Sequence, residues 1–172
     1  KTLKSNSKNN LNIFHPIVYI RGMYYSKCNV GYVIRLEIGE EIQESLRQFA
    51  EAVKLKGGFY VGIGAVTQVE LGFFRVGTKQ YDRRFLDDNE YELVSLTGNL
   101  SLVDDLPTPH THVAVGDSRF QTYSGHLVRA VVSVTAEILV TQIDLSLTRK
   151  EDPILSYHGL ISPHRRHLKV DS

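Results

Sequence analysis

The stretch PHTHVAVGDSRFQTYSGHL, residues 109–127, carries three of the chain's seven histidines: His110, His112 and His126. On a β-strand, side chains two positions apart share a face, so His110 and His112 project together while Thr111 points the other way. The polar run GDSRFQTYSG, residues 116–125, reads as the turn that sends the chain back. A hairpin centred near Arg119 places His126 across from His112. Directly opposed residues hold their Cβ atoms ~4.5–5.5 Å apart. Imidazole nitrogens sit ~2.0–2.1 Å from a shared zinc, so modest rotamer choices bring three rings to one ion. Three neutral imidazoles suit Zn, Ni, Cu or Fe(II) better than Mg or Ca. Three protein ligands also leave a position for water or a small molecule, the pattern of catalytic rather than structural zinc. The competing reading is three ordinary histidines at a sheet rim, bonded to carbonyls or water.

Other chemistry-bearing residues give weaker patterns. GIGAVT, residues 62–67, offers Gly-x-Gly but has Thr67 where a dinucleotide fingerprint needs its third glycine. It reads as a tight strand junction. The chain has neither a GxxxxGK[ST] loop nor a Gly-x-Ser-x-Gly elbow. Cys28 has no motif around it that marks a nucleophile. Glu92 reads as a surface or salt-bridged carboxylate. Glu137 lies at odd parity from His126, which sets it on the opposite face unless a bulge intervenes, so it is not assigned as a fourth ligand.

The elements that must position these groups follow from periodicity. VGYVIRLEI, residues 30–38, reads as a strand. Ile42, Leu46, Phe49, Ala50 and Val53 then recur at helical spacing, predicting one main helix over about residues 40–54. Glu40 and Glu41 suit its start, Lys54 and Lys56 its end, and Gly57-Gly58 stops it. Beyond the helix the pattern is β throughout. FYVGIGAV and TQVELGFF, residues 59–66 and 67–74, read as two strands. TKQYDRRFL, YELVSLTGNLSL, PHTHVAVG and HLVRAVVSVTAEILV follow. In the last run Ala130, Val132, Val134, Ala136, Ile138 and Val140 are all apolar, so that face is expected to be buried.

Composition bounds the class. Of the 172 residues, 42% are hydrophobic and 23% charged, ordinary values for one globular domain. The expected layout is a disordered leader at 1–15, a domain at 16–148 and a loosely packed basic tail at 149–172. No apolar run reaches the ~18 residues that span a bilayer. The single Cys28 excludes an internal disulfide and fits a reducing, cytoplasmic setting. Net charge is +1, yet residues 1–36 hold Lys1, Lys4, Lys8, Arg21, Lys27 and Arg35 and no carboxylate. Basic ends add electrostatic affinity for phosphate backbones or simply stay solvated.

Taken together, RLEIGEEIQESLRQFA, GIGAVTQVELGFF, YELVSLTGNLSL, PHTHVAVGD and GHLVRAVVSVTAEILV, in that order, resemble the plants-and-prokaryotes conserved (PPC) domain family over roughly Tyr24 to Gln142. The resemblance implies an α+β domain with a mixed, largely antiparallel sheet and one main helix, assembled as a homotrimer. It also implies a divalent metal, zinc in most members, at the positions of His110, His112 and His126. A DNA-associated or regulatory role goes with the family. The Arg-Gly-Arg-Pro core of its plant AT-hooks is absent, because Arg21-Gly22 is followed by Met23. The fold is similar to that of acetolactate decarboxylase as well, which implies an alternative: a zinc-dependent lyase acting on a small oxo- or hydroxy-acid held at the metal. Such chemistry needs a cation and an acid/base group, of which Arg35, Arg129, Glu92 and Glu137 are the available types. A third alternative is a metal that braces the hairpin of an interaction module.

Overall fold

The computed structural model describes residues 16–20, 22–86, 90–154 and 156–161. The leader expected at residues 1–15 and residues 162–172 of the tail expected at 149–172 lie outside the described residues. Helix α1 spans Ile42–Ala52 and starts where Glu41 caps it, the carboxylate accepting from the N–H groups of Gln43 and Glu44. Its stripe Ile42, Leu46, Phe49 and Ala50 is fully buried. Phe49 stands edge-on to Tyr25 and Tyr32, with ring centroids 5.3 and 5.1 Å away.

The strands are β1 (Val18–Ile20), β2 (Met23–Cys28), β3 (Gly31–Leu36), β4 (Gly58–Arg75), β5 (Gln80–Phe85), β6 (Tyr91–Val103), β7 (Leu106–Gly116) and β8 (Thr122–Gln142). They form one eight-stranded sheet in the order β1-β2-β3-β8-β7-β6-β4-β5, with a further pairing of β8 to β4. That pairing closes a ring, because β4 joins β6, β6 joins β7, and β7 returns to β8. These strand pairs are antiparallel. The parallel element is an isolated bridge between Leu102 and Thr148. Two short strands, β9 (Arg149–Glu151) and β10 (His158–Leu160), pair separately. The architecture is thus α+β, a single domain with a mostly antiparallel sheet and one helix. No described helix is long and apolar enough to cross a membrane.

Two details differ from the sequence reading, both through bulges. The runs at 59–66 and 67–74 are one long strand, β4, whose register against β8 shifts near Gly64 and again between Thr67 and Leu71. At the first shift Gly64 pairs with Ala136 and Val66 with Val132, so three β8 residues stand opposite Ala65. Val134, the middle one, is turned out and is 61% exposed, whereas Ala130, Val132, Ala136, Ile138 and Val140 are buried as their pattern requires. Gly64 permits this crowding: a Cβ there would stand 2.2 Å from the Thr135 carbonyl oxygen.

The β7–β8 turn is built on Asp117. Its carboxylate accepts from the N–H groups of Gln121 (2.8 Å) and Arg119 (2.9 Å) and from the Tyr123 hydroxyl (3.3 Å). The Gln121 and Arg119 amides and the Tyr123 hydroxyl hold this carboxyl below the usual carboxylate range. A carboxylate depressed in the folded state stabilises above its unfolded pKa of ~3.9, and that stability is lost as pH falls through the folded value. Asp117→Ala is therefore expected to flatten the acid limb of the stability curve. Wild-type melting temperature should drop more steeply than the variant's below about pH 4. Parallel curves would show that this carboxylate does not anchor the turn.

Candidate metal centre

The β7–β8 register pairs His112 with His126, Val113 with Gly125 and Ala114 with Ser124. His110, two residues before His112, shares its face. The three imidazoles converge: one ligating atom from each lies within 4.8 Å of the others. Their ring centroids are 5.2 to 5.5 Å apart. Thr111 points to the opposite, core side and is fully buried.

The core side also fixes the two strands. Tyr60 and Thr111 share a 2.6 Å hydrogen bond, and Thr111 donates onward to the Gln43 side-chain oxygen. With the Thr111 proton committed to Gln43, the Tyr60 hydroxyl is the donor. The Gln43 amide then donates to the Leu127 carbonyl at 3.1 Å. One helical side chain therefore ties Thr111, which lies between His110 and His112, to Leu127, the neighbour of His126. Burial pushes the Tyr60 hydroxyl pKa up, which keeps it a neutral donor.

On the site side a guanidinium closes over the histidines. Arg149 is 9% exposed. It donates to Ser101 Oγ (2.9 Å), the His158 carbonyl (2.8 Å), Asn99 Oδ1 (3.0 Å) and His110 Nδ1 (2.9 Å). Asn99 pairs with His110 across β6 and β7, which explains how one side chain reaches both. A guanidinium can only donate, so His110 Nδ1 accepts and the neutral ring carries its proton on Nε2. Burial holds His110 down to about 4, with the charge of Arg149 next and the neighbouring His126 and His112 after it. His126 is shifted the same way, first by burial and then by His112 and Arg149. Both rings are thus neutral at physiological pH, the state in which imidazole ligates a metal.

His126 Nδ1 bears directly on whether a cation fits. It is buried and, among the described residues, has no hydrogen-bond partner. Such an atom costs stability unless something fills its lone pair or accepts its proton. Tetrahedral ligands ~2.0–2.1 Å from zinc stand ~3.3–3.4 Å apart, so small ring rotations close this cluster onto one ion. For a neutral His110 to ligate a cation, the hydrogen bond from Arg149 must give way: through Nδ1 the cation takes its place, and through Nε2 the ring proton moves to Nδ1. The donor set fits a transition metal, with His110, His112 and His126 able to hold it. When bound, such an ion would supply Lewis acidity at an open coordination position.

The other residues weighed from sequence stand elsewhere. Arg35 pairs with Glu37 at 3.1 Å, and Arg129 donates to Gln68 at 3.2 Å. Glu92 is exposed on β6, opposite Gly116 and Ala65. Glu137 pairs with Arg35 and Ile63 across the sheet. The bulges in β8 do bring Glu137 to the same exposed face as His126, but it is not in the histidine cluster. Cys28 ends β2, half-buried. Gly62 and Gly64 lie within β4 rather than at a strand-to-helix turn. Arg149 is the site residue that sequence reasoning missed. It follows the last strand of the ring, and no local motif marks it.

Comparison with known proteins places this geometry. The model of the Plants and Prokaryotes Conserved domain matches residues 23–144. A candidate DNA-binding protein from Bacteroides thetaiotaomicron superposes with a TM-score of 0.78 at 28% identity, covering 81% of this chain and 97% of that one. A plant- and prokaryote-conserved protein from Pyrococcus horikoshii gives 0.70 at 29%, covering 80% and 96%. A metal-containing protein from Archaeoglobus fulgidus gives 0.69 at 25%, covering 76% and 91%. The bifunctional protein GlmU of a Synechococcus strain is 30% identical over 129 residues, which span 73% of this chain and 19% of that protein. With the family's model matched across the strands that carry all three histidines, the chain belongs to the Plants and Prokaryotes Conserved domain family.

Proposed function

We propose that this domain binds one divalent transition metal, zinc foremost, through His110, His112 and His126, and works as a homotrimer in a DNA-associated or regulatory role. The observation that carries the metal is the convergence of three imidazoles, one with a buried nitrogen that nothing engages among the described residues. The metal-containing relative from Archaeoglobus fulgidus supports the same reading. Purified chain is expected to hold about one transition metal ion by elemental analysis. His112→Ala should lower the retained metal about tenfold or more. A wild-type preparation that never retains metal after loading, or a variant that keeps it, overturns the assignment.

The trimer is what the family resemblance implies, and an apolar row across the sheet's outer face supports an interface between copies. Val33 pairs with Leu139 and Leu139 with Val61, and these are 50%, 36% and 56% exposed. Ile63 and Val94 widen the patch. A contiguous exposed apolar surface marks an interface more often than a solvated face. In light-scattering chromatography the chain should run at three times its 19.5 kDa mass. Val61→Asp should shift it toward the monomer. A monomeric wild type sinks this part.

DNA association draws on relatives described as candidate DNA-binding proteins, from Bacteroides thetaiotaomicron and Ralstonia eutropha. On this chain the exposed strand β5 carries Arg83, paired with Glu70, and Arg84, which lies over the Tyr123 ring. Electrostatic binding of this kind predicts at least a tenfold loss of duplex affinity between about 50 and 200 mM salt. No duplex binding at the lower salt removes DNA from the proposal and leaves the metal reading intact.

A further inference from the structure

Among the described residues, Arg149 is a buried cation without a counter-ion. Its four acceptors, on Ser101, His158, Asn99 and His110, are all neutral. Among the described residues no carboxylate pairs with it. These four bonds use four of its five N–H groups, leave one on Nη1 free and leave its charge uncompensated. The groups beside it cannot help, since imidazoles are neutral or positive. A divalent ion on the histidines would add two further positive charges. Such a place favours an anion, and the remaining Nη1 N–H can donate to one of its oxygens.

The next surface indicates what the anion carries. The Tyr81 ring lies 5.3 Å from His126, Phe74 lies 5.2 Å from Tyr81, and Tyr157 lies 6.1 Å from Phe74. Gly72, paired with His126 on β4, makes room for this wall: a Cβ there would stand 3.0 Å from the Tyr81 ring. Tyr81 and Tyr157 remain 44% and 40% exposed, so the wall has a free side. An inorganic oxyanion has no use for three aromatic rings.

We propose that the site takes a small organic acid, its carboxylate held by Arg149 beside the metal position and its apolar body laid against Tyr81 and Phe74. This names the ligand class of the metal site proposed above and rests on that reading for the second source of positive charge.

The test uses the full chain, zinc-loaded and chelator-stripped, titrated by calorimetry with benzoate, acetate and inorganic phosphate at matched ionic strength, with metal content measured on the same samples. Zinc-loaded chain is expected to bind benzoate saturably, at least tenfold tighter than acetate. Arg149→Met should abolish this and Arg149→Lys should recover part of it. Tyr81→Ser, on an exposed strand and safe for folding, should weaken benzoate and leave acetate unchanged. That variant decides the matter if the Arg149 variants fail to fold. Phosphate binding tighter than benzoate, or benzoate affinity indifferent to Tyr81, overturns the organic-acid assignment. Retained zinc with no anion binding overturns the anion site while sparing the metal. Benzoate binding by a chain that never holds metal sinks the metal reading instead.

Discussion

The site depends on the register between β7 and β8. Side chains alternate faces along a strand, so a slip of one residue would send His110 and His112 into the core and bring Thr111 out. Two devices on opposite ends of the problem oppose that slip. Asp117 sets the turn by collecting the amides of Arg119 and Gln121. Gln43 then ties Thr111 to Leu127 from the helix side, with Tyr60 behind Thr111. These buried groups are satisfied only in one register, because a shift would leave a tyrosine hydroxyl and a glutamine amide without partners. The penalty for each orphaned buried polar group is about 1–3 kcal/mol, enough to dominate the choice between neighbouring registers.

On the other face the logic is reversed, and the fold tolerates unfavourable electrostatics. Three imidazoles crowd together with an Arg149 guanidinium among them. His110 and His126 are disfavoured in their charged forms, first by burial and then by the charges of their neighbours. Among the described residues, one buried ring nitrogen is left without a partner. The contrast with the core side, where the Tyr60–Thr111–Gln43 chain is complete, supports the proposed site on this face. Buried polar groups are left short where something outside the chain completes them.

Much of this was legible in the sequence because it obeys short periods. The alternation in PHTHVAVG fixed which histidines share a face, the polar run after it implied the hairpin, and the apolar stripe from Ile42 to Ala50 implied the helix. What escaped were features without a period. A bulge is a local count of residues against a partner strand, so nothing near Val134 reveals that three residues will face Ala65. For the same reason β4 looked like two strands, since its break in alternation is a register shift and not a turn. Arg149 escaped differently. Its place beside His110 comes from chain tracing after β8, through a bridge from Thr148 to Leu102, and such long-range placement leaves no mark on neighbouring residues.

The ring of strands also links the two surfaces that the proposed function uses. His126 pairs with His112, His112 with Thr97, Thr97 with Val61, Val61 with Leu139, and Leu139 with Val33. Opposed residues of an antiparallel pair point to the same face, so this is one continuous outer row, polar at one end and apolar at the other. Strands are spaced ~4.7–4.9 Å apart, which puts Val61 only about 10 Å from His112 along the row. A second copy seated on the apolar end would therefore wall one side of the histidine site. In the proposed assembly, this seat would couple oligomerisation to ligand access by geometry alone.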